Sequence, residues 1–533
     1  MVSLNEASGS RLTRQQAGIK AWAGLAVLAL PTALLGLDVT ILYLALPALA
    51  ADLQPSSTQA LWIMDAYGFM IAGFLITMGT LGDRIGRRRL LMIGAVAFGI
   101  TSVIAAYSTS AAMLIAARAV LGVAGATLMP STLALISNMF GDVRQRALAI
   151  GVWATMFALG MALGPVVGGV LLERFWWGSA FLVAVPVVAV LLIAAPFLLP
   201  EYRASRSGPL DLASVALSLA AVLPAVYAVK ELAKLGLEPV PVLALALGAL
   251  MALVFVRRQR RLADPLLDMR LFGSRTFSAA LIVLLVGLVG VSGVMLLVTQ
   301  YLQLVAGLTP LAAGLWMGPP ALMMVLAGIM APLIARRIRP GYVVGAALTL
   351  STLGYWLLAS VEVNSSGVGM AIAGFSLVYL GLGTIAALGT DLVVGAAPAE
   401  KAGSASAMSE MVQELGVALG VALLGSLATF VYRAQVSATM ADGEAAEVAG
   451  IVEESLWATV AAGESLPSGV LLEAQQAFTA GLNVTATVGG IAILALAVIS
   501  IVSLRHVGAI GGEAQERSDE KGEPCSLSRP GSC

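Results

Sequence analysis

Histidine is almost missing from this sequence, and cysteine nearly so. The one histidine, His506, lies near the C-terminus, and both cysteines, Cys525 and Cys533, fall in the polar stretch behind it. A metal centre built on imidazole or thiolate, or catalysis by a histidine base, has almost nothing to work with. Charge is scarce as well. Only 11% of residues are Asp, Glu, Lys or Arg, against roughly 25% in soluble domains. That shortage excludes a water-soluble globular chain. A net charge of +0 argues against nucleic acid as a partner. No GxxxxGK[ST] phosphate loop occurs, so energy from ATP through a Walker loop is not expected. No nucleophile–base or metal-ligand set is visible, so an enzyme is not expected, nor a cofactor. A cleavable signal peptide is lacking too: residues 1–20 are polar, and the first apolar stretch is too long for an h-region.

What the chain does have is apolar length. Of its 533 residues 59% are hydrophobic, and the mean hydropathy is +0.94. A membrane span needs about 20 predominantly apolar residues. Fourteen such stretches can be read, near 21–46, 60–80, 90–108, 112–136, 147–172, 178–199, 211–229, 239–256, 277–300, 311–334, 341–360, 368–396, 405–431 and 482–504. Strand-like alternation is absent, which points to helices rather than a β-barrel. The 57 glycines suit close helix packing in lipid. The expected fold is therefore an all-α polytopic membrane protein.

Lys and Arg concentrate in alternate loops: Arg11, Arg14 and Lys20; "DRIGRRR"; Arg144 and Arg146; Arg203 and Arg206; "RRQRRLADPLLDMRLFGSR"; and "RRIR". The intervening loops are poor in both. The longest, 432–481, has Arg433 against seven acids: Asp442, Glu444, Glu447, Glu453, Glu454, Glu464 and Glu473. This asymmetry predicts an even number of spans with both termini cytoplasmic. Two readings of the acidic loop stand side by side: short helices capping the outer face, or a solvated loop. Residues 507–533 read as a disordered tail.

Acids deep inside the spans are few: Asp38, Asp391, Glu410 and Glu414. Glu410 and Glu414 are four residues apart and share one helix face. An ionised group at the bilayer centre costs at least ~2.5 kcal/mol on insertion scales. Burial disfavours the ionised carboxylate, and a second acid one turn away disfavours it further. Such groups hold protons and release them when something cationic arrives, which outlines a proton–cation exchange site. Arg118 is the one base deep in a span and needs an acid or carbonyl partner. Trp62, Tyr67, Tyr301, Trp316, Tyr355 and Tyr379 could add cation–π contacts, or serve as packing and interface residues. Met323, Met324, Met408 and Met411 supply adaptable apolar surface or plain packing.

Several stretches carry a resemblance. "GTLGDRIGRRR" (79–89) joins the second and third spans and resembles the loop signature of the major facilitator superfamily. There the resemblance implies that Asp83, with Arg84, Arg87 and Arg88, gates the cytoplasmic side. "LIAARAVLGVAGA" (114–126) is similar to the fourth-helix motif, whose arginine, here Arg118, is associated with proton coupling; Leu121 stands where the family often has Gln. "GMALGPVVGG" (160–169) resembles the fifth-helix motif of exporters, with Gly160, Gly164 and Gly168 on one smooth face and Pro165 able to kink the helix. "LDVTILYLALPAL" (37–49) and "LWIMDAYGF" (61–69) resemble the first two helices of fourteen-helix drug:proton antiporters. Tyr43 stands where relatives commonly have Asn, and Asp65 falls close to the outer mouth. "QYLQLVAGLTPLAAGL" (300–315) and "AEKAGSASAMSEMVQELGVALG" (399–420) match the second half of that family. "LAGIMAPLIARRIRPG" (326–341) is the second half's counterpart of the Asp–Arg loop: it keeps the arginines and lacks the acid, as in diverged repeats.

The resemblance implies a major facilitator fold of fourteen helices. It would comprise a cytoplasmic N-terminal segment (1–20), a six-helix bundle (21–200), two inserted helices (201–262) and a second six-helix bundle (263–506). The implied activity is proton-coupled efflux of lipophilic cations such as quaternary ammonium compounds and dyes, by a monomer in a bacterial inner membrane. Asp38, Glu410 and Glu414 would bind substrate charge or proton, with Asp391, Trp62 and Tyr67 as further lining, and Gly164 and Pro165 would let the bundles rock. Export of one endogenous metabolite, antibiotic or lipid is the alternative within transport. A membrane sensor or scaffold without net transport is the alternative outside it.

Overall fold

The computed structural model describes residues 18–140, 143–203, 211–235, 238–262, 265, 269–397, 402–439, 452–453, 455–462, 467 and 469–508. Most of the N-terminal segment and the tail after Gly508 lie outside the described residues. Among the described residues every regular element is helical. Twelve helices are long and apolar enough to cross a membrane.

The first eight helices are α1 (Ile19–Leu53), α2 (Ser57–Ile85), α3 (Arg87–Ala106), α4 (Ala111–Met139), α5 (Val143–Arg174), α6 (Ser179–Leu182), α7 (Ala184–Leu198) and α8 (Leu212–Leu235). Then come α9 (Pro239–Gln259), α10 (Arg275–Gln300), α11 (Pro310–Trp316), α12 (Gly318–Ala335), α13 (Pro340–Ala359), α14 (Gly367–Gly395), α15 (Ala402–Thr439), α16 (Leu456–Ala462) and α17 (Val470–Leu504). The sixth predicted span is thus two helices, α6 and α7, and the tenth is α11 and α12. Proline explains both breaks, because it has no N–H to donate four residues back. Pro186 leaves the Leu182 carbonyl without its helical donor, and Pro319 and Pro320 do the same for Leu315 and Trp316. At the end of α10 the chain widens into a π turn over Tyr301–Val305, and the Tyr301 hydroxyl donates to the Glu362 carbonyl at 2.7 Å.

Sharp starts follow local chemistry. Ser56 and Gln59 form a reciprocal capping box at α2. Ser110 and Ser274 accept from the backbone three residues on, at 3.2 and 3.3 Å.

The chain divides into two compact units. The first comprises residues 1–225, 246–258 and 309–315; the second comprises 226–245, 259–308 and 316–533. In the first, α1 packs on α5, α2 and α3 pack on α4, and α7 packs on α1 and α3. The α1–α5 seam shows why its glycines matter. A Cβ at Gly160 would fall on the Ala33 carbonyl, one at Gly164 on the Thr40 hydroxyl, and one at Gly36 on the Phe157 carbonyl. With those side chains missing, Thr40 Oγ1 comes close enough to donate to the Met161 carbonyl across the seam at 3.1 Å.

In the second unit α13 packs on α17 and α14, α10 on α15, and α12 on α14. Around the acidic stretch this unit is helical beyond the apolar spans: α15 runs to Thr439 and α17 begins at Val470. The predicted loop 432–481 is shorter than expected at both ends, because hydropathy marks the bilayer-crossing length and not the helix end. Between them lies α16, so a short helix does form there. Its own Leu456 and Thr459 are buried, as is Val452 ahead of it, whose carbonyl accepts from Tyr432 at 2.8 Å.

Candidate functional site

Arg118 is buried in α4, 2% exposed. Gly122, one turn further, lets α4 approach α2 so closely that a Cβ there would fall on the Tyr67 carbonyl. That approach brings the guanidinium to the α2 backbone. Nε donates to the Ile63 carbonyl at 3.1 Å and Nη2 to the Met64 carbonyl at 3.5 Å. Nη1 donates to Asp38 Oδ2 at 2.8 Å in a buried ion pair between α1 and α4. The guanidinium carbon also stands 4.4 Å from the centre of the Tyr67 ring. Of the predicted site residues, Asp38, Arg118 and Tyr67 are therefore assembled in one place, with the Asp38 charge answered by Arg118. Trp62, half-buried, stacks edge-on with Phe69 at 6.4 Å between ring centres.

Asp65 departs from its expected place at an outer mouth. It is 1% exposed and directly follows Met64, whose carbonyl Arg118 reaches. It is the ninth residue of α2, which at 1.5 Å per residue puts it about 12 Å from the helix start.

At the other end of α2 the arginine cluster finds an acid outside the motif, Glu201. Gly86 links α2 and α3 with φ +112, a conformation open mainly to glycine. A Cβ there would also strike the Glu201 carboxylate. Glu201, just after α7, accepts the Arg88 backbone N–H at 3.1 Å and pairs with the side chains of Arg88 at 3.7 Å and Arg89 at 3.8 Å. Arg88 also donates to the Leu199 carbonyl at 2.9 Å, and Arg87 to the Pro130 carbonyl at 3.4 Å. Arg84 is exposed. The side chain of Asp83 lies outside the described residues. Glu201 could have been suspected from "LPEYR", an acid immediately behind a span that ends beside "GRRR".

In α5, Gly164 and Pro165 are buried. Gly164 lies against Thr40, and the Pro165 carbonyl lies where a Cβ on Gly314 would fall.

In the second unit Glu414 is 6% exposed, and Glu410 is half-buried one turn earlier on α15. A polar seam runs beside them. Gln413 donates to the Ser409 carbonyl and hydroxyl at 3.2 and 3.3 Å, and Ser409 to Thr390 of α14 at 3.4 Å. Met408 is buried next to Ser409. Asp391, adjacent to Thr390, is exposed. Tyr355 and Tyr379 are buried packing residues, Tyr379 donating to Met295 Sδ at 3.0 Å, while Trp316 is exposed.

At the start of α8, Asp211 caps the helix by accepting the Ser214 N–H at 3.1 Å and pairs with Arg258 of α9 at 2.8 Å. Partial burial pushes the Asp211 carboxyl up, but hydrogen bonds from Arg258 and Ser214 outweigh that and hold it below the ordinary aspartate value.

The arrangement consists of buried carboxylates, one of them salt-bridged, within apolar helices, and among the described residues no group of His, Cys, Asp and Glu could hold a metal ion. The chain is 42% identical over 491 residues to the multidrug efflux pump LfrA of Mycolicibacterium smegmatis, covering 91% of this chain and 97% of that one. It is 35% identical over 487 residues to the methyl viologen resistance protein SmvA of Salmonella typhimurium, covering 90% and 97%. Its fold matches the crystal structure of a bacterial homologue of the human lysosomal transporter Spinster. That match has a TM-score of 0.65 at 15% identity and covers 91% and 97% of the two chains. The Major Facilitator Superfamily model matches residues 28–421, and the chain, a multi-pass membrane transporter, belongs to that superfamily.

Proposed function

We propose that the protein is a multidrug efflux antiporter that exports lipophilic cations in exchange for protons, as a monomer in a bacterial inner membrane with both termini cytoplasmic. The observation that carries this reading is the set of carboxyl groups buried in apolar helices: Asp38 and Asp65 in the first unit, Glu414 in the second. Intramembrane acids are expensive and mark ion or proton pathways. The relatives named multidrug efflux pump and methyl viologen resistance protein support the substrate class, since methyl viologen is a dication with quaternary nitrogens.

In this mechanism Glu414 and Glu410 exchange a proton for the substrate's positive charge. Asp38 is released from Arg118 when it takes a proton, and Arg118 couples that event to the α1–α4 contact. Trp62 and Tyr67 contribute aromatic surface to a flat cation, and exposed Asp391 receives protons from water. Asp83, Arg84, Arg87 and Arg88 gate the cytoplasmic side, with Glu201 as the acid that holds Arg88. Gly164 and Pro165 let α5 shift against its neighbours.

The test is transport in proteoliposomes with an imposed pH gradient, following a fluorescent cation such as ethidium. Wild type should move the dye only with the gradient, and Asp38→Asn and Glu414→Gln should each abolish gradient-driven movement. Unchanged movement in both variants removes these acids from the mechanism. No movement by folded wild-type protein refutes cation export and directs attention to neutral substrates.

A further inference from the structure

The two units carry arginine clusters in corresponding connections, and among the described residues only the first is paired with a carboxylate. In the first unit Glu201 answers Arg88 and Arg89. In the second, Arg336, Arg337 and Arg339 occupy the turn between α12 and α13, and Arg505 and His506 follow α17. Two contacts gather these groups. Arg339 Nη1 donates to the Arg505 carbonyl at 3.1 Å, and His506 Nε2 lies 2.9 Å from Thr276 Oγ1, next to Arg275 at the start of α10. All five arginines are exposed. Among the described residues, no carboxylate lies within ion-pair distance of any of them. Like charges are thus drawn together by main-chain and side-chain hydrogen bonds, with no carboxylate among the described residues to answer them.

We infer that this end of the second unit binds the headgroup of an anionic phospholipid, seated where the start of α13 meets the end of α17. A lipid fits better than a soluble anion because apolar side chains lead directly away from the arginines on both helices. Ile338 and Tyr342 are exposed beside Arg339, and Val498 and Val502 are exposed just ahead of Arg505. Gly341 touches Leu504, and Gly345 touches Ile501, so these two stretches run side by side. The phosphate takes the place that Glu201 fills in the first unit, with Arg339 and Arg505 as its principal donors. Acyl chains lie along the exposed apolar residues, and Tyr342 stands at headgroup level, where tyrosine is enriched.

The experiment uses the purified full-length chain in a neutral detergent, with lipid binding read by native mass spectrometry and thermal unfolding. The probes are phosphatidylglycerol, phosphatidylcholine and inorganic phosphate. Phosphatidylglycerol should bind and raise the unfolding midpoint, while phosphatidylcholine and phosphate do neither. The double substitution Arg339→Gln and Arg505→Gln should weaken phosphatidylglycerol binding by ~30-fold, at about 5-fold for each basic residue near a charged surface. Arg339→Lys, which keeps the charge, should stay within about 2-fold of wild type on the same scale. Equal binding of phosphatidylcholine, or an unchanged double variant, overturns the proposal. So does equal stabilisation by phosphate, which would make the site one for a soluble anion. A chain ending at Gly508 that binds phosphatidylglycerol where the full chain does not would assign the patch to the acidic tail instead.

Discussion

Arg118 is worth most attention among the single residues because its partners come from two other helices. A guanidinium has five N–H donors, and three of them go to Asp38 and to the carbonyls of Ile63 and Met64. Removing one member of a buried pair leaves an uncompensated charge and typically costs about 3–5 kcal/mol. Arg118→Gln should therefore lower thermal stability sharply, and Asp38→Asn added to it should restore a large part. Unfolding of the two single variants and the double variant closes the cycle; strict additivity would mean that the pair contributes nothing by itself. The pairing also changes how Asp38 is understood. From the sequence, it and Arg118 are 80 positions apart, and nothing in either motif says that they touch.

Among the elements, the hairpin of α8 and α9 is closed at one end by Asp211, Ser214 and Arg258. The direction of the pH effect follows from the depressed Asp211 carboxyl. A group whose folded pKa is lowered contributes stability above its unfolded value, about 4 for aspartate, and that contribution is lost as pH falls through the folded value. Arg258→Gln should reduce the unfolding midpoint at neutral pH, and its gap from wild type should close as pH drops below about 4. A gap that persists in acid would mean that Arg258 acts through packing alone. The element scale also shows where pattern reading succeeds. The spacing of Gly160 and Gly164 announces a smooth face, and α1 occupies it. Apolar length alone runs through Pro186, Pro319 and Pro320: each stretch is one membrane-crossing span, broken locally where proline removes a donor.

For the whole molecule, the distribution of Lys and Arg predicts one side for both ends of the chain. The only cysteines, Cys525 and Cys533, make that testable without engineering. In intact cells a membrane-impermeant maleimide should leave both unlabelled, and permeabilisation should expose both. Labelling of intact cells would reverse the proposed orientation. The same comparison bears on the acidic stretch between α15 and α17, which would then face outward. Composition alone left that stretch open between helix and loop; among its described residues Leu456–Ala462 form a helix, with Leu456 and Thr459 buried.

By itself the sequence determined the membrane class, the helical fold and the superfamily. These rest on properties that are local or summed along the chain: apolar runs long enough to cross a bilayer, too little charge for water, and short motifs at fixed spacing. It also marked Asp38, Arg118, Glu410 and Glu414 as unusual, because any ionisable group in an apolar span is costly. Only the tertiary structure decided which of these groups meet. Asp38 with Arg118, Glu201 with Arg88, and Asp211 with Arg258 all join helices whose approach is set by side-chain packing. Asp65 turned out buried and Asp391 exposed for the same reason. A residue's depth and facing depend on where neighbouring helices lie, and no one-dimensional pattern carries that information.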